Sequence, residues 1–147
     1  MKTIGTTFGF TNGIITILSL LFGLYATKVP KVGIIGAILA LLITDPLSDA
    51  YSMYISQKDT SINSFRIGQE AFYSQMGVQL LFLCIIIFSK SLYQGIILCF
   101  ITGISMVFIY DRYNKESIQD TAKHISVIWF LVILTYYIDT YVYKYFS

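Results

Sequence analysis

Five apolar runs, each about as long as a lipid bilayer is thick, dominate this chain and restrict what it can become. They cover approximately Phe8–Thr27, Val32–Ile55, Ala71–Phe88, Leu92–Tyr110 and Ile125–Tyr143. A helix of roughly 17–25 residues crosses the hydrocarbon core, and a helix satisfies its own backbone hydrogen bonds there. The expected fold is therefore all-α: a polytopic membrane protein with five transmembrane helices, forming a single domain over residues 1–147. Composition agrees, with 56% hydrophobic residues, 12% charged residues and a mean hydropathy of +0.70. Ordinary soluble domains carry about 25% charged residues.

The connections divide into two kinds. Lys28, Pro30 and Lys31 make a short link between the first two spans, and Ser89, Lys90 and Ser91 make one between the third and fourth. These read as two tight hairpins followed by one more helix. The longer polar links are Gln57–Glu70 and Asp111–His124, each with room for a short interfacial helix. In the second, Asp120 and His124 stand four apart, either as a helical pair or on a solvated face. His124 is expected to be solvated rather than a ligand.

The first span is longer than the apolar core of a secretory signal and precedes no small-x-small cleavage site, so it is expected to be retained. Cys84 and Cys99 lie in apolar runs and read as free, lipid-buried thiols. The net charge of +2 and the scattered Lys and Arg residues argue against nucleic-acid binding.

Basic residues orient membrane proteins, with the excess facing the cytosol. Lys2, Lys58, Arg66, Arg112, Lys115 and Lys123 fall on one side, against Lys28, Lys31, Lys90 and Lys144 on the other. This bias puts the N-terminus in the cytosol and the C-terminus in a lumen or outside the cell. The closing run YYIDTYVYKYF fits an interfacial aromatic belt with Lys144 reaching outward.

Two acids interrupt the second span. Asp45 lies midway between Lys31 and Lys58, near the bilayer centre, and Asp49 follows one turn later, about 6 Å along the axis. Met53 continues the same face, while Thr44, Ser48 and Ser52 form a polar stripe beside it. An aspartate at the bilayer centre costs roughly 2.5–3.5 kcal/mol. Two carboxylates at this spacing repel by about 3 kcal/mol at an effective dielectric of about 20. No Lys or Arg lies at that depth, so at least one carboxyl is expected to keep its proton unless a cation takes its place. Exchange of a proton for a divalent metal is the chemistry such a pair can perform.

Pro46 adds to this reading. A proline inside a helix frees the carbonyl four residues back, here Leu42. Membrane helices tolerate that best beside a polar cavity, although a kink for packing alone is the competing reading. Met53 is either a soft ligand or a packing group; as a ligand beside carboxylates it suits Fe²⁺ better than Mg²⁺ or Ca²⁺. On the first span Asn12, Thr16 and Ser19 share a face, and Gly9 and Gly13 form a G-x-x-x-G that permits close helix approach. Asn12 either coordinates an ion or bonds across helices. Asp139, near the outer end of the fifth span, is a candidate for the proton path, with Tyr136, Tyr137 or Tyr141 as hydrogen-bond partners. Gln79, Cys84, Cys99, Thr102 and Met106 read as packing groups. No nucleophile with a base, phosphate-binding glycine loop or zinc spacing is present, so no enzyme activity is expected.

Two stretches also resemble a known family. Gly9-Phe10-Thr11-Asn12-Gly13-Ile14-Ile15-Thr16 resembles the G-x-x-[ND]-G-[LIV]-[VIT]-T pattern in the first helix of the vacuolar iron transporter family. Leu47-Ser48-Asp49-Ala50-Tyr51-Ser52-Met53-Tyr54-Ile55-Ser56 falls without a gap on that family's second-helix pattern, [LI]-S-M-x-x-G-x-Y-[LI]-[SA]. The resemblance implies a five-helix homodimer that moves ferrous or manganous ions out of the cytosol in exchange for protons, with the first two helices lining the pathway. Three departures stand out. Asn12 replaces an acid, Asp49 stands at a methionine position with Met53 one turn later, and Asp45 is an additional acid. The cytosolic metal-collecting region of many members is reduced to a short link holding Asp59 and Glu70.

The expected function is thus proton-coupled transport of Fe²⁺ or Mn²⁺, carried as substrate with no resident cofactor. Asp45, Asp49, Met53 and Asn12 are the candidate ligands, Thr16, Pro46, Ser48 and Ser52 the lining residues, and Asp139 the proton-path group. Two rivals use the same residues: a less selective cation or proton conductor, and a non-transporting membrane scaffold.

Overall fold

A computed structural model describes residues 3–60 and 62–147. Five helices account for nearly all of them: α1 (Ile4–Ala26), α2 (Lys31–Gln57), α3 (Ser64–Phe88), α4 (Leu92–Tyr113) and α5 (Ile118–Phe146). All five are long and apolar enough to cross a membrane. Large apolar side chains such as Leu47, Phe108, Phe130 and Ile138 remain exposed on the outside of the bundle, as a lipid environment requires.

The polar links hold no separate interfacial helices among the described residues, because α3 and α5 begin within them. At the start of α5, Ser117 Oγ accepts from the Asp120 backbone N–H, capping the helix, and donates to the Asp120 carboxylate. Thr3 and Ser91 cap α1 and α4 through the backbone N–H groups of Thr6 and Gln94. Asp120 pairs with Lys123 at 3.0 Å rather than with His124. His124, half of whose side chain is exposed, instead reaches across to the buried Asp111 of α4 at 2.9 Å.

Helices α1 and α3 form the centre. Helix α2 packs most extensively on α3 rather than on its hairpin neighbour α1, and α5 packs mainly on α1. Ile14, Ile17, Leu18 and Leu21 of α1 meet Phe82 and Ile86 of α3 in a fully buried core. Glycine makes the α1–α3 contact possible. A Cβ on Gly5 or Gly9 would collide with the carbonyl oxygen of Ile67 or Ala71, and one on Gly13 would sit 3.2 Å from that of Gln75. The G-x-x-x-G of the first span is therefore a backbone-to-backbone interface extended by one more glycine. At the far end of α3, Lys31 Nζ donates to the carbonyls of Ile87 and Ser89 at 3.1 and 2.6 Å, tying the start of α2 to the end of α3.

Helices α1 and α4 end in left-handed residues, Lys28 and Lys115, both at φ 59°. The accompanying bonds run from Val29 N–H to the Leu24 carbonyl and from Glu116 N–H to the Asp111 carbonyl, the pattern of a Schellman cap. A side chain is disfavoured at such a φ, so Lys115→Gly is expected to raise stability by about 1 kcal/mol. Thermal unfolding of the detergent-solubilised protein measures it, and an unchanged or lower midpoint contradicts the expectation.

Candidate functional site

Three helices bring polar groups together near their midpoints. Asp45 lies at the middle of α2 with Asp49 one turn further on, Gln75 and Gln79 lie at the middle of α3, and Asn12 lies on α1. The orientation of α2 follows from its apolar face. Ile34, Ile38, Pro46 and Ala50 are buried on it, and a Cβ on Gly68 would meet the Ala50 carbonyl oxygen at 2.8 Å. Close packing of Ala50 on Gly68 turns the neighbouring Asp45 and Asp49 toward α3 and α1.

Amides meet both carboxylates. Gln75 Nε2 donates to Asp45 Oδ2 and to Asp49 Oδ2, each at 2.8 Å. Gln79 Nε2 donates to Asp45 Oδ2 at 2.8 Å, and Asn12 Nδ2 donates to Asp49 Oδ2. Since one nitrogen bonds both acids at 2.8 Å, their Oδ2 atoms are no more than 5.6 Å apart. Gln75 and Gln79 are fully buried, and the side-chain oxygen of each is enclosed without a hydrogen-bond partner. The ion pairs Arg66–Glu70, Lys123–Asp120 and His124–Asp111 involve neither acid. Neutral donors are thus what faces Asp45 and Asp49.

Asp45, Asp49 and Asn12 come together, as three of the four candidate ligands. Met53 lies one turn further along α2, half-buried, outside the hydrogen-bonded cluster. Thr44, Ser48 and Ser52 flank the acids on the exposed side of α2. Thr44 and Ser52 donate back to the carbonyls of Ala40 and Ser48 at 3.0 and 2.9 Å, so the lining role expected of Ser48 and Ser52 falls on an outward surface of this chain. Pro46 is buried against the bundle.

Gln79 is corrected from a packing group to a donor to Asp45, and Gln75 was not singled out in the sequence at all. The signal was present, since Gln75 and Gln79 stand four apart on one face of an apolar run. Their i, i+4 spacing is the same as that of Asp45 and Asp49, without the charge that singled out the acids.

Thr16 opens on a different space. A cavity of about 380 Å³ lies between α1 and α5, lined by Thr16, Ser19, Thr27, Thr135 and Asp139 among others. The Asp139 carboxylate packs directly on Gly23 of α1, leaving no room there for a Cβ. Tyr136, Tyr137 and Tyr141 are exposed, and the group that faces this carboxylate is the α1 backbone rather than a phenol. Helix α1 therefore carries Asn12 at the carboxylate cluster and Thr16 and Ser19, followed by its C-cap Thr27, along the cavity that ends at Asp139. A larger space of about 430 Å³ between α2 and α3 is lined mainly by aromatic and apolar groups such as Tyr54, Phe65 and Phe72, and neither acid borders it.

No group of three or more His, Cys, Asp and Glu side chains converges among the described residues. The donor set is two carboxylates and three amides, all of which can present oxygen. Cys84 and Cys99 are free thiols and stand apart from it. Fold and site together define the class: an integral membrane protein of five apolar helices with a polar cluster near the helix midpoints. Comparison with protein-family models, with curated proteins and with solved structures finds no match.

Proposed function

We propose that this protein is a transporter rather than an enzyme, moving Fe²⁺ or Mn²⁺ out of the cytosol in exchange for protons. The observation that carries this reading is the convergence of Asp45 and Asp49 on neutral amides at the middle of the bundle. Repulsion between ionised carboxylates no more than 5.6 Å apart is about 3 kcal/mol at an effective dielectric of about 20. A proton on one acid relieves it, and so does a divalent ion bound by both. Arrival of the metal therefore releases a proton, and departure of the metal takes one up.

Asn12 is a secondary ligand, and Met53 meets the ion on its way from the cytosolic end of α2. Protons leave by the α1–α5 cavity, with Asp139 at its outer end. The N-terminus is cytosolic and the C-terminus lumenal or extracellular, following the distribution of basic residues. The resemblance of α1 and α2 to the vacuolar iron transporters supports the same chemistry and a homodimer. In a homodimer, the exposed hydroxyls of Ser48 and Ser52 face a second copy across the pathway.

Reconstitution in proteoliposomes tests the reading. Mn²⁺ uptake is expected to accelerate when a pH gradient drives protons the opposite way, and a pH-sensitive dye will record proton release. Monovalent flux indifferent to the gradient would identify a general conductor, and absence of any flux would identify a scaffold.

A further inference from the structure

We propose that Gln75 and Gln79 are themselves metal ligands, which makes the cluster an all-oxygen site selective for a hard divalent ion of the Mn²⁺ class. The inference rests on the reading of Asp45 and Asp49 as a cation site and adds to it the residues that choose the ion.

Position is the first argument. Gln75 Nε2 occupies a point 2.8 Å from an oxygen of each acid, where a cation shared by the two carboxylates would sit. Oxygen-seeking divalent ions bind their ligands at about 2.0–2.6 Å. A cation entering there repels the amide N–H groups and attracts the amide oxygens.

Freedom to respond is the second. Both side-chain oxygens are enclosed with no donor behind them, so nothing holds them turned away from the acids. A structural glutamine would have both ends bonded, since an orphaned buried acceptor costs about 1–3 kcal/mol. The terminal amide torsion of glutamine is broad and two-fold, and half a turn exchanges nitrogen for oxygen within the same volume. Either orientation leaves one end of the amide unpaired, so the charge between the carboxylates decides which end faces inward.

The resulting donor set is two carboxylates with the amide oxygens of Asn12, Gln75 and Gln79. Carboxylate and carbonyl oxygens suit Mn²⁺, Ca²⁺ and Mg²⁺, whereas thiophilic ions seek sulfur or imidazole. Mg²⁺ sheds its water reluctantly, which leaves Mn²⁺ and Ca²⁺ as the ions this arrangement takes up most readily. Met53, with the nearest sulfur on that face of α2, stands a turn away and plays no part in the selection.

The test uses the full chain in detergent, with Mn²⁺ and Cd²⁺ as probes in equilibrium titrations. Gln75→Met and Gln79→Met preserve side-chain length and replace oxygen with sulfur. Each is expected to weaken Mn²⁺ binding by about tenfold or more, since loss of even an outer-shell partner costs about that much, while Cd²⁺ binding holds or tightens. Equal weakening for both ions indicates a packing role and overturns the proposal, as does wild-type affinity for Mn²⁺ in both variants. Infrared difference spectra of the wild-type protein give a second readout that needs no variant. Mn²⁺ should move a glutamine side-chain carbonyl band to lower frequency, and binding without that shift also overturns the proposal. Failure of the wild type to bind either ion removes the cation site altogether and with it both readings. By contrast, binding that depends on Asp45 and Asp49 but ignores the glutamines removes this inference alone.

Discussion

Replacing Asp45 and Asp49 together by asparagine will abolish divalent-metal flux while leaving insertion, helicity and monodispersity intact. Each replacement keeps side-chain size and exchanges one carboxylate oxygen for an N–H₂. The amides of Gln75, Gln79 and Asn12 can turn to meet it, so packing survives. Charge does not survive. Outer-sphere substitutions alone reduce metal affinity by about 10–100-fold, and these remove the only carboxylates in the cluster. A loss beyond about a hundredfold is therefore expected for the pair, with each single variant between it and the wild type. Stability should hold or rise, because a charge at the bilayer centre costs roughly 2.5–3.5 kcal/mol. Flux through the double variant at the wild-type rate would show that transport does not depend on these acids and would overturn the reading of them as the cation site.

The second large effect concerns stability and comes from two identical substitutions with opposite signs. Gly9→Ala is expected to cost about 3 kcal/mol, at the upper end of overpacking penalties. Its new Cβ meets the carbonyl of Ala71 and the hydroxyl of Ser74, and no rotamer change moves a backbone oxygen. Helices α1 and α3 must separate, which also draws Asn12 away from Asp49. Gly36→Ala adds the same methyl group where nothing lies within 4 Å. Only helix propensity acts there, and the gain is about 0.5–1 kcal/mol. Gly77, equally open, serves as a second control. Thermal unfolding in one detergent ranks the three, and a Gly9→Ala protein as stable as Gly36→Ala would refute the close α1–α3 contact.

Much of the architecture was legible because hydrophobic length carries it. Five apolar runs became five helices in the anticipated order. The ends were less legible, since polar residues around Ser64 and Ser117 suit a loop and a helix equally. At Ser117 the side-chain cap with Asp120 tipped the chain to helix. Hairpin pairing misled in a similar way. A short link keeps α2 beside α1 at one end only, and the small residues Ala50 and Gly68 let α2 lie closer to α3 along its length.

The acids at Asp45 and Asp49 announced themselves by their cost, because charge in an apolar run is rare enough to be read directly. Gln75 and Gln79 did not, being neutral and individually unremarkable. Asp120 and His124 matched a helical spacing, yet each found a different partner, Lys123 and Asp111.

What the sequence determined by itself was the number of helices long and apolar enough to cross a membrane and the place of the two acids near the middle of one of them, because burial of apolar length and desolvation of charge are local quantities. Which groups face those acids was decided only by tertiary structure. That choice depends on the closeness of α3 to α1 and α2, set by glycines at Gly9, Gly13 and Gly68, and a contact between distant segments has no signature in either segment alone.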